Sequence, residues 1–228
     1  MKKVSDIHAI KIIFFITACY VGLWAIRIPT IKDQLQTDYV GVGYIMLSFA
    51  IGSIVAMIFA NALILKTSTK SILTCTLIAE GCLWLPVPFI QELWLFMVFS
   101  FVFGMSYGAF EIACNVYASN LEVREKKSMM SGFHAFWSLG VLFGSLITSF
   151  LLEWNYSFIF NILLYVIILL PLSLYFVLCL ESQVETKSED SSKKNIFFIW
   201  PLLIFCLLYT SDAADEGLGV DLGGRRII

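Results

Sequence analysis

The stretch that decides the fold is Leu93–Ala118, LWLFMVFSFVFGMSYGAFEIACNVYA. It exceeds the roughly 20 apolar residues that a helix needs to cross a bilayer. The run is continuous instead of alternating, so it predicts a membrane-spanning helix and not a barrel strand. One carboxylate, Glu111, interrupts it, with the amide of Asn115 one helical turn further on. The purpose of two such polar groups inside an apolar helix is the main question that the sequence raises.

Similar apolar runs recur along the chain, which is 59% hydrophobic and only 14% charged. Soluble domains carry roughly a quarter charged residues, so this composition predicts an all-α membrane protein. We predict a bundle of six transmembrane helices over residues 1–180, with the first span extendable through Ile31. The predicted spans are Ile10–Ala25, Val40–Leu65, Ser71–Ile90, Leu93–Ala118, Met129–Leu152 and Phe158–Leu180.

The basic residues of the loops predict a cytoplasmic N terminus, because Lys and Arg accumulate on the inner side of membrane proteins. In this orientation only Arg27 and Lys32 lie outside. The basic residues placed inside are Lys2, Lys3, Lys11, Lys66, Lys70, Arg124, Lys126, Lys127, Lys187, Lys193 and Lys194.

Two more segments follow the six spans. Residues 181–195, ESQVETKSEDSSKKN, are polar and Ser-rich and predict a cytoplasmic loop. A seventh apolar segment begins at Ile196 and occupies residues 196–205. Six helices, an inner loop and a further helix are typical of a transporter built from two six-helix halves. We therefore expect a C-terminal half of the same chain that is missing here.

The last segment, residues 206–228, reads CLLYTSDAADEGLGVDLGGRRII. CLLYTSDAADE resembles the translation of a transposase-type sequencing adapter, and VDLGGRRII resembles that of the flow-cell primer next to it. We expect this tail to be an artefact and assign no function to its residues. The alternative is a genuine polar C-terminal tail.

Three motifs resemble the major facilitator superfamily: WAIRIPTIKDQL after the first span, GAFEIACN in the fourth and SGFHAFWSLGVLFGS in the fifth. They are most similar to a bacterial inner-membrane branch, and Glu-x-x-x-Asn also resembles the fucose–proton symporter group. The resemblance implies a transporter in the bacterial inner membrane. The loop NALILKTSTK departs from the family pattern, because Asn61 stands where Gly is expected and no acid is present. Lys66 and Lys70 remain as candidates for cytoplasmic gating.

Glu111 is the leading candidate for a functional residue, because a carboxylate at the bilayer centre costs about 2.5–3.5 kcal/mol. Asn115 lies on the same helical face, which Gly104 and Gly108 continue as a close-packing GxxxG pattern. Two roles fit Glu111: exchange of a coupling proton, or a permanently protonated group that holds helices together. A second GxxxG pattern is present at Gly140 and Gly144.

His134 is the only histidine inside the predicted spans, and imidazole exchanges protons near neutral pH. A ring that fills a gap between helices explains it equally well. Glu80 in the third span has no polar neighbour one turn away on both sides and stays ambiguous. Asn161 in the sixth span predicts a helix-to-helix hydrogen bond.

Two interpretations fit Arg27, which lies at the outer end of the first span. It snorkels to the headgroups, or it binds an anionic or hydroxyl-bearing solute at the mouth of a cavity. Trp24, one turn earlier, is a candidate aromatic wall for a sugar ring, although Trp is also common at membrane interfaces.

These observations favour a secondary active transporter of a small polar solute, coupled to H⁺ through Glu111. A multidrug exporter of the same superfamily is the alternative. A membrane-embedded transferase is less favoured, because the loops are short and His134 has no acid within a turn. The cysteines are scattered without metal-binding spacing, so we predict no metal site. We also predict no cofactor and no enzymatic activity. The expected partners are the solute, H⁺ and the lipid bilayer, with no nucleic acid.

Overall fold

The computed structural model describes residues 5–181, except for the side chains of residues 60–62 and 65. The predicted loop beyond Glu181, the seventh span, the adapter-like tail and the side chain of Asn61 lie outside this part. The described residues form six long helices and one short 3₁₀ turn, Val87–Phe89. The helices are α1 (Asp6–Gln34), α2 (Tyr39–Lys66), α3 (Thr69–Trp84), α4 (Leu93–Glu125), α5 (Met130–Glu153) and α6 (Phe158–Cys179).

The prediction of six membrane-length helices is confirmed, and each is long and apolar enough to cross a bilayer. Helix starts follow local capping chemistry. The side chains of Asp38, Ser68 and Ser157 accept hydrogen bonds from the backbone N–H groups of Gly41, Ser71 and Phe160. The predicted third span ends earlier than expected as an α-helix, at Trp84, because Pro86 and Pro88 cannot continue it.

Glycine contacts establish two close helix pairs in the bundle, α2 with α4 and α1 with α5. A Cβ added at Gly104 would lie 2.1 Å from the carbonyl oxygen of Phe49, and one at Gly108 would lie 2.5 Å from that of Ser53. Gly140 and Gly144 bring α5 equally close to α1. The close approach predicted from both GxxxG patterns is therefore confirmed. The third helix lies against α4 and α6.

An ion-pair network closes the end of the bundle where α1 begins and where α4 and α6 end. The Nη2 atom of Arg124 lies 2.9 Å from Oδ2 of the buried Asp6, and its Nη1 atom lies 3.4 Å from Oε2 of Glu181. The other oxygen of Asp6 accepts the backbone N–H of Glu181 at 3.2 Å. These contacts explain why α1 begins before its apolar run and why α4 continues after its own.

Candidate functional site

The bundle contains a cavity of about 230 Å³ between α1, α2, α3 and α4. Its wall is largely aromatic, and a smaller crevice bordered by Thr76, Ser106 and Phe110 continues beside it. The cavity is lined by Tyr20, Val21, Trp24, Met46, Phe49, Glu80, Trp84, Val87, Phe99, Ser100, Phe103 and Tyr107.

Glu80 supplies the carboxylate of this cavity and borders both the cavity and the crevice. The residue is only 6% exposed. Within residues 5–181 it forms no hydrogen bond and no ion pair. A buried carboxylate without a partner is costly, so its position in a cavity points to a proton or a ligand as its partner.

Two further buried polar atoms around the cavity and crevice have no hydrogen-bond partner among the described residues. They are Nε1 of Trp84 and Oγ of Ser106. Buried polar groups are almost always paired in folded proteins. These two donors and Glu80 together form a polar set that contacts within residues 5–181 leave unsatisfied.

Tyr107 lines the cavity together with Glu80 and precedes Glu111, the leading candidate from the sequence, by one turn of α4. The hydroxyl of Tyr107 is within electrostatic range of both carboxylates. Tyr107 therefore connects the aromatic cavity to the part of α4 that carries Glu111.

Glu111 is half-buried and within electrostatic range of His134 on α5. The fold thus brings together two titratable residues that the sequence placed in separate helices. The His134 ring is solvent- or lipid-accessible and packs edge-on against Phe14, with ring centroids 5.7 Å apart. Asn115 lies one turn further along α4 and is also half-buried.

Arg27 of α1 is buried against α6, and only 2% of the residue is exposed. Its Nε atom donates a 3.0 Å hydrogen bond to Oδ1 of Asn161, and its Nη2 atom donates to the carbonyl oxygen of Tyr156 at 3.4 Å. Its guanidinium also lies 5.4 Å from the ring centroid of Phe158. This geometry contradicts the snorkelling alternative and confirms the helix-to-helix hydrogen bond predicted for Asn161. Arg27 does not line the cavity, whereas Trp24 does.

Replacing Asn161 with leucine is expected to destabilise the protein by about 2 kcal/mol, because it removes a hydrogen bond to a buried charge. Thermal unfolding in detergent measures this as a lower melting temperature. The double variant Arg27→Met/Asn161→Leu is expected to recover part of the loss, since an apolar pair replaces the unpaired guanidinium. Strictly additive losses in this double-mutant cycle would contradict the coupling.

The two loop lysines differ in their surroundings. The Nζ atom of Lys70 donates to the carbonyl oxygens of Leu178 and Leu180, at 2.9 and 2.6 Å. It therefore satisfies backbone carbonyls at the end of α6. Lys66 is exposed. Gating by either lysine stays a prediction.

Sequence reasoning did not single out the residues that make the cavity wall aromatic. Tyr20, Trp84, Phe103 and Tyr107 each stand in an apolar run, where an aromatic residue is ordinary. The Trp84 indole and the Glu80 carboxylate are four residues apart on α3, and this spacing was the one available signal of a shared face. No group of three or more potential metal ligands occurs among the residues that the structure describes.

Comparison with known proteins agrees with this architecture. The profile described as Major Facilitator Superfamily matches residues 12–214. An uncharacterized MFS-type transporter of Yersinia pestis is 28% identical over 145 residues, which cover 62% of this chain and 37% of the relative. An uncharacterized transporter of Sinorhizobium fredii is 25% identical over 141 residues, which cover 58% of this chain and 35% of the relative. The chain thus aligns with little more than a third of either relative.

No solved structure matches this chain significantly. The profile match covers all six helices except the first residues of α1, and these helices carry the cavity and the intramembrane carboxylates. The chain belongs to the Major Facilitator Superfamily, whose members are membrane transporters.

Proposed function

We propose that this protein is a proton-coupled secondary transporter that moves a small polar solute across the membrane by alternating access. The observation that carries the proposal is the membrane-embedded cavity with the unpaired carboxylate of Glu80 in its wall. Glu111 is the proposed proton carrier, and Tyr107 connects it to the cavity. We further propose a cytoplasmic N terminus and a location in the bacterial inner membrane, in line with the distribution of basic residues.

The proposed proton coupling is supported by the position of Glu111, which lies within electrostatic range of His134. Removal from water disfavours the charged form of a carboxylate, whereas the neutral form tolerates the membrane interior. Binding and release of a proton therefore change the relative stability of states in which Glu111 is enclosed or hydrated. His134 and Asn115 are the proposed polar neighbours in this step.

The size of the cavity supports a small solute over a bulky drug. Sites for drug-sized ligands occupy about 300–1,000 Å³, and the cavity in this bundle measures about 230 Å³. Its aromatic wall is the feature that favours the alternative, a multidrug exporter. Efflux of a fluorescent dye from cells would support that alternative.

Solute-driven proton entry tests the proposal directly. Proteoliposomes that contain the protein and a trapped pH dye are given a panel of hexoses, deoxyhexoses and amino alcohols. We expect one class to acidify the interior and to accumulate when an inward proton gradient is imposed. A protonophore should remove the accumulation. Accumulation that persists without any proton gradient would contradict coupling to H⁺.

A further inference from the structure

The aromatic rings of the cavity converge on Trp84, which is 2% exposed. Its ring centroid lies 5.7 Å from that of Phe103, 6.1 Å from that of Tyr20 and 6.2 Å from that of Trp24. Glu80 precedes Trp84 by one helical turn and lines the same cavity. The site therefore consists of a carboxylate inside a cage of aromatic side chains.

Glu80 is the only residue of a charged type among the described side chains that line this cage. No Lys, Arg or His is among the described residues that line the cavity, and Glu80 has no ion-pair partner in residues 5–181. Arg27 of α1, which does not line the cavity, is engaged by Asn161 and by the Tyr156 carbonyl. Among the described residues, the ionised form of Glu80 thus has no counter-charge in the lining of the cavity.

We infer that this cavity binds a small organic cation, with an ammonium or quaternary ammonium group seated beside the Glu80 carboxylate among the aromatic side chains that line the cavity. Aromatic faces attract cations through the ring quadrupole, and this attraction is strongest where water is excluded. The cation also supplies the counter-charge that a buried carboxylate requires.

Other solute classes fit the cavity less well. An anion would approach the carboxylate without a compensating cation in the lining. A sugar presents many hydroxyl groups, each of which needs a buried partner. The side chains that line the cavity offer few polar atoms for this purpose: the Glu80 carboxylate, the indole N–H groups of Trp24 and Trp84, and the hydroxyls of Tyr20, Ser100 and Tyr107.

This inference rests on the proposed function in one respect, because it names the class of solute that the cavity would take. Binding is measured at equilibrium and without a proton gradient. Failure to bind a cation therefore overturns the inference alone, whereas loss of proton-driven accumulation overturns the proposed coupling.

Choline and its neutral isostere dimethylbutanol, in which carbon replaces the ammonium nitrogen, form a matched pair of probes. Binding of radiolabelled choline to the full chain in lipid nanodiscs is measured, and each unlabelled compound competes in turn. We expect choline to compete at least about tenfold more strongly than dimethylbutanol, because only choline carries the charge. Equal competition, or no saturable binding of choline, overturns the inference.

Two variants locate the binding in the cage. Glu80→Gln keeps the shape of the side chain and is expected to remove the preference for choline. Phe103→Leu removes one ring and is expected to weaken the binding of choline more than the binding of dimethylbutanol. This second variant keeps the test informative if Glu80→Gln does not fold. Glu153→Gln, at an exposed carboxylate at the end of α5, is the matched control and should bind as the unmodified protein does. A Glu80→Gln variant that retains the full preference for choline overturns the assignment.

Discussion

Replacing Glu111 with glutamine is expected to abolish solute accumulation driven by a proton gradient while leaving solute counterflow intact. Glutamine has the shape of a protonated glutamate but cannot release a proton, so the protein stays in the protonated form throughout the cycle. Exchange of labelled for unlabelled solute needs no net proton movement and should continue. Accumulation in proteoliposomes should fall to the level of protein-free liposomes.

The control for this variant is Glu153→Gln, which removes an equal charge from an exposed position. It should accumulate solute normally. Unchanged accumulation by Glu111→Gln would contradict the proposed role of Glu111 as the proton carrier. The next candidate for that role would be Glu80, the other carboxylate within electrostatic range of Tyr107. Loss of both accumulation and counterflow would indicate the alternative role for Glu111, that of a permanently protonated group that holds helices together.

The helices themselves were predictable because the signal is local. An apolar run of membrane length is sufficient to identify a span, and all six appear in the structure. Their ends were less predictable. The fourth helix continues beyond Ala118 to Glu125, because Arg124 finds its partners in Asp6 and Glu181, residues that are distant in sequence. No pattern within one helix reports such a contact.

Polar residues inside the spans were recognisable, but their partners were not. The hydrogen bond between Arg27 and Asn161 joins residues 134 positions apart. The cavity around Glu80 is built from four helices, and each of its aromatic residues is unremarkable in its own apolar run. Sequence reasoning weighted Glu111 more heavily because Asn115 stands one turn away, whereas the environment of Glu80 comes from other helices.

The GxxxG patterns were less informative than the apolar runs but more informative than the single polar residues. They predicted close packing on α4 and α5 without naming the partner helix. The structure shows that α4 contacts α2 and α5 contacts α1 in this way. Small residues allow such approaches in membranes, where the hydrophobic effect does not drive helices together and close van der Waals contact must do so.

Replacing Gly144 with leucine is therefore expected to prevent the bundle from assembling. A Cβ at this position would lie 2.2 Å from the carbonyl oxygen and 2.7 Å from the Cα atom of Cys19. Both are backbone atoms of α1, so they cannot move aside as a flexible side chain would. The two helices must separate, and the contact that Gly22 makes with the backbone of Val141 and Ser145 is lost with them. Overpacking in cores costs about 1–3 kcal/mol when side chains can adjust, and we expect a greater loss here.

Gly43→Leu is the matched control, because a Cβ at Gly43 meets no atom within 4 Å. Leucine also has a higher helix propensity than glycine, so this variant should be neutral or slightly more stable. Size-exclusion chromatography of fluorescent fusions in detergent measures both outcomes. We expect a monodisperse peak for Gly43→Leu and aggregated or degraded protein for Gly144→Leu. A Gly144→Leu protein that elutes and melts as the unmodified protein does would show that α1 and α5 do not pack through this glycine.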